Sequence, residues 1–276
     1  MNIFLTNDDG IHAEGIKALH RRFAEKHSVT VIAPDRERSA VGHAITLHKP
    51  LRSTRVKLDN GSFGYAVSGT PADCVKLGLL EILDNRPDIV ISGINPGANV
   101  GVNLNYSGTV SAAREAALYD VPAIAVSIYG YEIDNYDDDA CFIERLTEEV
   151  IEKGLPFGTF LNVNIPNKPM KEIAGVRISK QGVTLFSEYF EKRVDPRNRT
   201  YYWQGCDSHV FEKNPDIDGA VLCQDYISIT PIKCDMTDYR IIKALKKWKI
   251  AGGTKEIGTR ESGSETFIPP GGDGIL

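Results

Sequence analysis

Two adjacent carboxylates, Asp8 and Asp9, lie in the run Asn7-Asp8-Asp9-Gly10 just after the apolar stretch 3–5. Neighbouring carboxylates repel each other unless a cation lies between them. Side chains of consecutive residues in an extended chain point to opposite faces, so both can reach one ion only if the backbone turns, and Gly10 permits such a turn. The pair therefore predicts a divalent-cation site. The alternative is that one aspartate only caps the next helix, which is common turn chemistry after a strand.

Two further polar segments follow predicted strands of the same sheet. Ser39 comes after the second strand, and Asn95 lies in the glycine-rich segment 92–101. Because the loops at the carboxyl ends of parallel strands open on one edge of a sheet, we expect their oxygen atoms to meet those of Asp8 and Asp9 around one ion. An all-oxygen set suits Mg²⁺ or Mn²⁺ rather than zinc, and it leaves positions for water or a substrate oxygen. The glycine-rich segment matches neither a Walker A loop nor GxGxxG, and its glycines can equally serve only to turn the chain.

A predicted helix begins at Ser107, Gly108 and Thr109. Serine or threonine at this point is a natural N-cap with exposed main-chain amides, and an anion can bind there. A phosphate between the metal and these amides would be held at both ends, as phosphoryl transfer to water requires. Capping without anion binding is the alternative.

Other polar side chains near these loops give weaker signals. His12 and His43 are candidates for a general acid or base, although a lone histidine more often has a structural role. Arg36 and Arg38 are candidates for contact with a substrate phosphate, but exposed loop arginines rarely do this. Thr70, which precedes a proline, is expected to cap a helix.

The first half of the chain must supply the sheet that positions these residues. β-branched runs alternate with helical patterns, which predicts a Rossmann-like, doubly wound, mostly parallel α/β fold with three layers (α/β/α). Strands are predicted at 2–6, 29–33, 88–92 and 123–127. Helices are predicted at 11–25, 72–83, 109–119 and 142–153. The stretch 44–67 is expected to form an antiparallel insertion.

The second half is expected to be a β-rich C-terminal extension. We expect a single domain, 1–250, that consists of a core at 1–155 and this extension, with an assembly arm, at 156–250. Strands are predicted at 160–165, 176–179, 201–203 and 220–229, and a helix at 238–249. Segment 188–200, which carries four basic residues, is expected to be a hairpin that reaches a partner subunit or covers the active site; a solvated loop is the alternative. The polar, glycine-rich stretch 251–276 is expected to be disordered.

Composition narrows the class of protein. The chain has 276 residues and a net charge of −5, which argues against a nucleic-acid polymer as partner. No apolar run approaches the ~20 residues of a membrane span, so we expect no membrane role. The N-terminal sequence has no basic leader, which predicts a cytoplasmic protein. The five cysteines are scattered without a CxxC pair, which argues against disulfides and against a zinc site.

Five motifs, in order along the chain, resemble those of the SurE survival protein family. They are Asn7-Asp8-Asp9-Gly10, Ala33-Pro34-Asp35-Arg36 with Ser39, Ser68-Gly69-Thr70-Pro71, Ser92-Gly93-Ile94-Asn95-Pro96-Gly97 and Tyr106-Ser107-Gly108-Thr109-Val110. Segment 226–231 resembles a late strand of the family. Two departures concern loop shape: Ala40 stands where glycine is expected, and 13–15 lacks an expected proline before its glycine.

The resemblance implies a bacterial, cytoplasmic, metal-dependent phosphatase (a 5'-nucleotidase) that hydrolyses nucleoside 5'- and 3'-monophosphates and, in some members, short polyphosphate. It implies one divalent cation per subunit, and homodimers or homotetramers that exchange C-terminal arms. The implied metal ligands are Asp8, Asp9, Ser39 and Asn95. We further hypothesise that three of these act in catalysis, Asp8, Asp9 and Asn95. The hypothesis adds four residues that hold the phosphate, Asn99, Ser107, Gly108 and Thr109.

Two rival functions use the same loops. A non-catalytic sensor would bind nucleotide or polyphosphate and signal through oligomeric arms without turnover. A metal-dependent nucleoside hydrolase would release a free base, but the sequence lacks the further run of aspartates that we expect of one.

Overall fold

A computed structural model describes residues 1–59, 61–183, 188–206 and 214–248. The chain divides into two units, residues 1–235 and residues 236–276. The predicted tail at 251–276 lies outside the described residues. Within the described ranges, no helix is long and apolar enough to cross a membrane.

The secondary structure confirms the alternation expected of the first half. The strands are β1 (Asn2–Thr6), β2 (Ser28–Pro34), β3 (Ser53–Lys57), β4 (Phe63–Val67), β5 (Ile89–Pro96), β6 (Ala123–Tyr129), β7 (Thr159–Pro166), β8 (Gly175–Ile178), β9 (Glu188–Val194), β10 (Thr200–Cys206) and β11 (Tyr226–Lys233). The α-helices are α1 (Glu14–Phe23), α2 (Pro71–Leu77), α3 (Gly108–Leu118), α4 (Asp137–Lys153), α5 (Asp218–Cys223) and α6 (Tyr239–Leu245). A π-helical turn, Gly78–Ile82, continues α2, and 3₁₀ turns occupy Gly101–Asn105 and Met170–Glu172.

Nine strands form one sheet in the order β3-β4-β2-β1-β5-β6-β7-β11-β8. The six strands from β4 to β7 in that order run parallel. Strand β3 is antiparallel to β4, as expected for the insertion, and β11 is antiparallel to β7. The β-rich second half therefore extends the main sheet through β7, β11 and β8. The central position of β1, between β2 and β5, brings three of the polar loops to one sheet edge.

Strand β1 explains why the fold has three layers. Ile3 and Leu5 are buried in one apolar cluster with residues of α1 and α4, whereas Phe4 is buried in a second cluster with residues of α2 and α3. Alternate side chains of a strand point to opposite faces, so a strand that is apolar throughout must be covered on both sides. The predicted α/β/α layering is confirmed.

Two helices begin where side chains cap their free main-chain amides. Thr70 accepts a hydrogen bond from the Asp73 amide at 3.1 Å, Asp73 accepts from the Thr70 amide, and Pro71 opens α2. Ser107 accepts from the Val110 amide at 3.1 Å and caps α3. Both starts agree with the sequence prediction, because hydroxyl caps and N-terminal proline are local signals.

Several predicted boundaries are wrong. The strand predicted at 220–229 is the short helix α5 followed by β11, because a short apolar run has no periodicity that separates buried helix from strand. Helix α4 begins at Asp137 rather than 142, and its first turn carries the acidic residues that favour a helix N-terminus. Strand β5 runs on to Pro96, so Asn95 lies at the end of the strand rather than in the following loop.

The hairpin predicted at 188–200 is confirmed and is longer than expected. Strands β9 and β10 pair antiparallel as a separate two-stranded sheet, with Val194 opposite Thr200. Six large apolar side chains of this hairpin are exposed: Tyr189, Phe190, Val194, Tyr201, Tyr202 and Trp203. In the second unit, α6 lies within the helix predicted at 238–249, and Asp238 caps it by accepting from the Arg240 amide at 3.0 Å.

Candidate active site at the carboxyl edge of the sheet

Asp8 lies at the end of β1 against the first turn of α3. It is only 5 % exposed. Its Oδ1 accepts a hydrogen bond from Thr109 Oγ1 at 2.5 Å. A Cβ atom on Gly108 would lie 2.7 Å from Asp8 Cβ and 2.9 Å from Asp8 Oδ2, so only glycine allows this close approach. Burial raises the pKa of Asp8, and hydrogen bonds from the Thr109 side chain and main chain oppose that rise.

The turn after β1 forms as its glycine predicts. Gly10 has a φ of +101°, and its carbonyl accepts from Asn7 Nδ2 at 2.9 Å and from the Ala13 amide at 3.0 Å. A Cβ atom on Gly10 would lie 3.1 Å from the carbonyl carbon of Arg36, so this turn packs against the loop after β2. The Arg38 amide also donates to the Asp8 carbonyl at 2.7 Å. These contacts hold the loop after β2, as far as Arg38, against the main chain of residues 8–10, and Ser39 is the next residue in that loop.

Asp9 combines a raised pKa with a buried oxygen that lacks a partner among the described residues. Burial, the neighbouring Asp8 and the nearby Glu37 raise the pKa of Asp9 to about 7. Asp9 Oδ2 and Asn7 Oδ1 are buried without a hydrogen-bond partner among the described residues. Buried polar atoms are normally paired, and a carboxylate beside another carboxylate is stabilised by a cation. The residues present therefore fit a hard divalent ion.

The other two predicted ligands, Ser39 and Asn95, follow β2 and end β5, the strands on either side of β1. Ser39 is exposed, and its hydroxyl donates to Glu37 Oε1 at 2.5 Å. Asn95 Nδ2 donates to the Gly97 carbonyl at 2.7 Å. The other polar atom of the Asn95 side chain is Oδ1, the predicted metal ligand. Strand β5 pairs with β1 up to Ser92 opposite Thr6, so Asn95 lies at the same sheet edge as the carboxylates. The described residues contain no group of three or more His, Cys, Asp and Glu arranged to hold a metal.

Asn99 is fixed by polar residues from the two strands beyond β5. Its amide donates to Asn164 Oδ1 at 2.8 Å, and its Nδ2 donates to Ser127 Oγ at 2.8 Å. Its carbonyl accepts from Asn162 Nδ2 at 2.8 Å and from Asn164 Nδ2 at 3.2 Å. The residues that hold Asn99 are all fully buried, being Ser127, Asn162 and Asn164. Asn99 is thereby held at the site edge with its side-chain oxygen as the remaining acceptor.

The remaining predicted phosphate ligands lie in the first turn of α3, where the hydroxyls already have partners. Ser107 caps the helix through Val110, and the Thr109 hydroxyl donates to Asp8. The anion nearest this helix N-terminus is therefore the Asp8 carboxylate, which interacts favourably with the helix dipole. A phosphate contact by Gly108 and Thr109 stays a prediction. The Gly108 amide would make it directly, whereas the Thr109 amide already donates to Asp8.

The four weaker candidates occupy different environments. His12 and Arg36 are exposed. Arg38 Nη2 donates to the Ser68 carbonyl at 3.0 Å, which joins two loops of the site edge. His43 Nε2 lies 2.6 Å from Glu115 Oε2, and Glu115 is buried on α3.

The structure adds three kinds of residue that the sequence analysis missed. Glu37 acts electrostatically on Asp8 and Asp9. The half-buried Tyr136 has a raised pKa, mainly through burial and then through Asp9. Asn162 and Asn164 could have been found, because polar residues at alternate positions of an apolar strand must have buried partners. Glu37 and Tyr136 carry no comparable sequence signal.

Comparison with known proteins identifies the family of the chain. Residues 3–188 match the family model described as "Survival protein SurE". The chain is 57 % identical over 250 residues to "5'-nucleotidase SurE" of Desulfatibacillum aliphaticivorans, covering 91 % of this chain and 99 % of the relative. It is 47 % identical over 250 residues to the protein of the same name from Syntrophobacter fumaroxidans, covering 91 % of this chain and 100 % of the relative.

A solved structure gives the same result at the level of the fold. The crystal structure of the SurE protein from Aquifex aeolicus superimposes with a TM-score of 0.79 at 37 % sequence identity, covering 89 % of this chain and 98 % of the other. The family match spans the strands and loops that build the site edge. The chain belongs to the SurE family.

Proposed function

We propose that this protein is a divalent-metal-dependent phosphatase that hydrolyses nucleoside 5'-monophosphates to nucleoside and phosphate. The observation that carries the proposal is the Asp8–Asp9 pair. Burial and repulsion by Asp8 raise the pKa of Asp9 to about 7, and Asp9 Oδ2 is buried with no hydrogen-bond partner in the described part of the chain. The name 5'-nucleotidase carried by the relatives supports the choice of substrate. Activity on 3'-monophosphates and short polyphosphate belongs to the same proposal, as does a cytoplasmic location.

The residues proposed to hold one Mg²⁺ or Mn²⁺ per subunit are Asp8, Asp9, Ser39 and Asn95. A bound ion of this kind supplies charge to a phosphate oxygen and lowers the pKa of water. Asp9, whose unpaired oxygen faces no protein donor, orients the attacking water. Asn99, Ser107, Gly108 and Thr109 hold the phosphate in line with that water, through the Asn99 side-chain oxygen bridged by water and through the first-turn amides of α3.

The hairpin β9–β10 is proposed to act in assembly of a homodimer or homotetramer. Its exposed aromatic side chains support this, because large exposed apolar residues grouped on one element are typical of protein contacts. The single domain 1–250 with a separate tail remains part of the proposal. Gel filtration with light scattering of the full chain tests the oligomeric state.

The experiment that tests the activity measures phosphate release from nucleoside monophosphates with Mn²⁺ and with a chelator. We expect Mn²⁺-dependent release that the Asp9→Ala change abolishes. Activity that survives thorough chelation and Asp9→Ala contradicts the proposal. Thermal stabilisation by nucleotide without phosphate release would instead favour the sensor, and release of free base from a nucleoside would favour the hydrolase.

A further inference from the structure

Buried Glu115 of helix α3 contacts His43, which lies in the loop that carries Ser39. Glu115 of α3 is 4 % exposed. Its Oε2 lies 2.6 Å from His43 Nε2 in the loop after β2, and its Oε1 lies 3.1 Å from Lys76 Nζ of α2. Burial raises the pKa of Glu115, but the hydrogen bonds from His43 and Lys76 outweigh it and leave the pKa below its ordinary value. Glu115 is thus a charged anchor between three elements.

The loop after β2 has no helix or strand of its own until β3 begins. It is held by contacts beyond Ser39, toward its C-terminal half. The Gly42 amide donates to the Tyr106 carbonyl at 2.9 Å, beside the start of α3. Thr46 Oγ1 donates to Asp73 Oδ2 at 2.7 Å. These contacts and the His43–Glu115 pair fix the path of the chain that leaves Ser39.

Helix α3 therefore contacts both sides of the proposed metal site. Its first turn holds Asp8 through Thr109, and its third turn holds the Ser39 loop through Glu115 and His43. A side chain that holds a ligand loop in place acts on metal affinity without touching the metal. Ser39 itself is exposed, and its hydroxyl donates to Glu37 in the same loop, so its position depends on such anchors.

We propose that His43, paired with Glu115, is a positioning residue that holds the Ser39 loop on α3 and so sets the affinity for the divalent ion. This inference rests on the proposed function, in which Ser39 is a ligand. This role differs from that of a general acid or base, because His43 Nε2 contacts Glu115 and is not directed at a leaving group.

The test is Mn²⁺ binding to the purified full chain, measured by electron paramagnetic resonance of free Mn²⁺ without substrate. We expect His43→Ala to weaken binding about 10-fold, at the lower end of the effect of residues that orient metal ligands. His43→Gln should restore most of the affinity, because its side-chain amide can donate to Glu115. His48→Ala, a change of the same type at an exposed position of the same loop, should bind Mn²⁺ as the wild type does.

A double-mutant cycle with Ser39→Ala shows whether His43 affects Mn²⁺ affinity through the position of Ser39 or by a general weakening of the site. If His43 acts through Ser39, then His43→Ala should cost little further affinity in the Ser39→Ala protein. Wild-type affinity in His43→Ala, or an equal loss in both backgrounds, would overturn the inference. If His43→Ala does not fold, His43→Asn, whose side chain is too short to reach Glu115, decides in its place.

The outcomes also separate this inference from the proposed function. Mn²⁺ binding that is lost in Asp9→Ala but unchanged in His43→Ala removes only the positioning role. A wild-type protein that binds no Mn²⁺ overturns the metal-dependent activity itself.

Discussion

Thr109 donates a hydrogen bond from Oγ1 to Asp8 Oδ1 over 2.5 Å, and both side chains are buried. This bond connects the loop after β1 to the start of α3, two segments that are far apart in sequence. Because Oδ1 of Asp8 accepts this bond, Oδ2, which lies beside Gly108, is the oxygen of Asp8 that we expect to contact a cation.

Removal of that hydroxyl should weaken the site without unfolding the protein. We expect Thr109→Val, which preserves shape, to lower Mn²⁺ affinity or kcat by 10- to 100-fold, on the order found for residues that orient metal ligands. Thr109→Ser keeps the donor and should retain most of the affinity. Calorimetric titration with Mn²⁺ and nucleotidase kinetics check this. Equal behaviour of the valine and serine variants would argue against an orienting role.

A methyl group at Gly108 should displace Asp8. The added Cβ would lie 2.7 Å from Asp8 Cβ and 3.1 Å from Pro71 Cγ, closer than van der Waals contact allows. We expect Gly108→Ala to lose most of its phosphatase activity. Gly154→Ala is the matched control: its φ of +73° makes alanine cost about 1 kcal/mol of stability, but no atom lies within 4 Å of the new Cβ. Its kcat should equal that of the wild type, and similar kcat losses in the two variants would point to stability instead.

The carboxylate pair should make the metal-free protein less stable as the pH rises. Burial, Asp8 and Glu37 raise the pKa of Asp9 to about 7, so between about pH 4 and 7 the folded state keeps a proton that the unfolded state has lost. The loss of folding stability is absent below pH 4 and complete above pH 7. The rise of about three pKa units corresponds to at most about 4 kcal/mol of unfolding free energy. We expect Asp9→Asn to raise the Tm at pH 8 in chelator, but not at pH 4.

Asp139 supplies the control for that measurement. Burial and then Asp138 raise the pKa of Asp139 to about 7 as well. Asp139→Asn should therefore raise the Tm at pH 8 in the same way. Only Asp9→Asn should also abolish the increase in Tm that Mn²⁺ gives the wild type. If both variants respond to Mn²⁺ alike, Asp9 is not a ligand.

The asparagines of β7 should act on substrate binding through Asn99. Asn164→Ala removes two hydrogen bonds that hold the Asn99 backbone. Asn164 Oδ1 accepts from the Asn99 amide at 2.8 Å, and Asn164 Nδ2 donates to the Asn99 carbonyl at 3.2 Å. We expect a higher KM for nucleoside monophosphate and a loss of about 1–3 kcal/mol of stability, since buried partners are left unpaired. Asn167→Ala, at an exposed position just beyond the same strand, removes one hydrogen bond to the Glu132 carbonyl at 2.9 Å and should leave KM unchanged. Steady-state kinetics and urea unfolding measure both.

The sequence was informative where one local signal decides a structure. Gly10 predicts the turn that it forms, and Thr70 with Pro71 and Ser107 predict the helix starts, because each signal acts within a few residues. The edge occupied by Asp8 and Asn95 follows from strand order in a parallel fold. These parts of the site required no knowledge of tertiary contacts.

The unpredicted parts depend on which distant groups meet. Thr109 belongs to a predicted capping segment, but only the packed fold shows that its hydroxyl serves Asp8. Glu115 looks like any acidic residue in an apolar helix until His43 and Lys76 are placed beside it. The apolar run 220–229 predicts a strand, but its first residues belong to α5 and its last to β11. Its periodicity does not distinguish the two, because both elements are buried.

The central position of β1 also constrains how the protein folds. Asn2 of β1 donates its amide to Asp88 Oδ2, across 86 residues of sequence, and β5 must insert between β1 and β6 before Asn95 reaches the carboxylates. Pairings of this separation close long loops and slow folding relative to local contacts. Asp8 and Asp9 are therefore synthesised early, while the residues proposed to join them around a metal ion come together only when the parallel core is complete. We expect the recovery of Mn²⁺ binding during refolding to report that step.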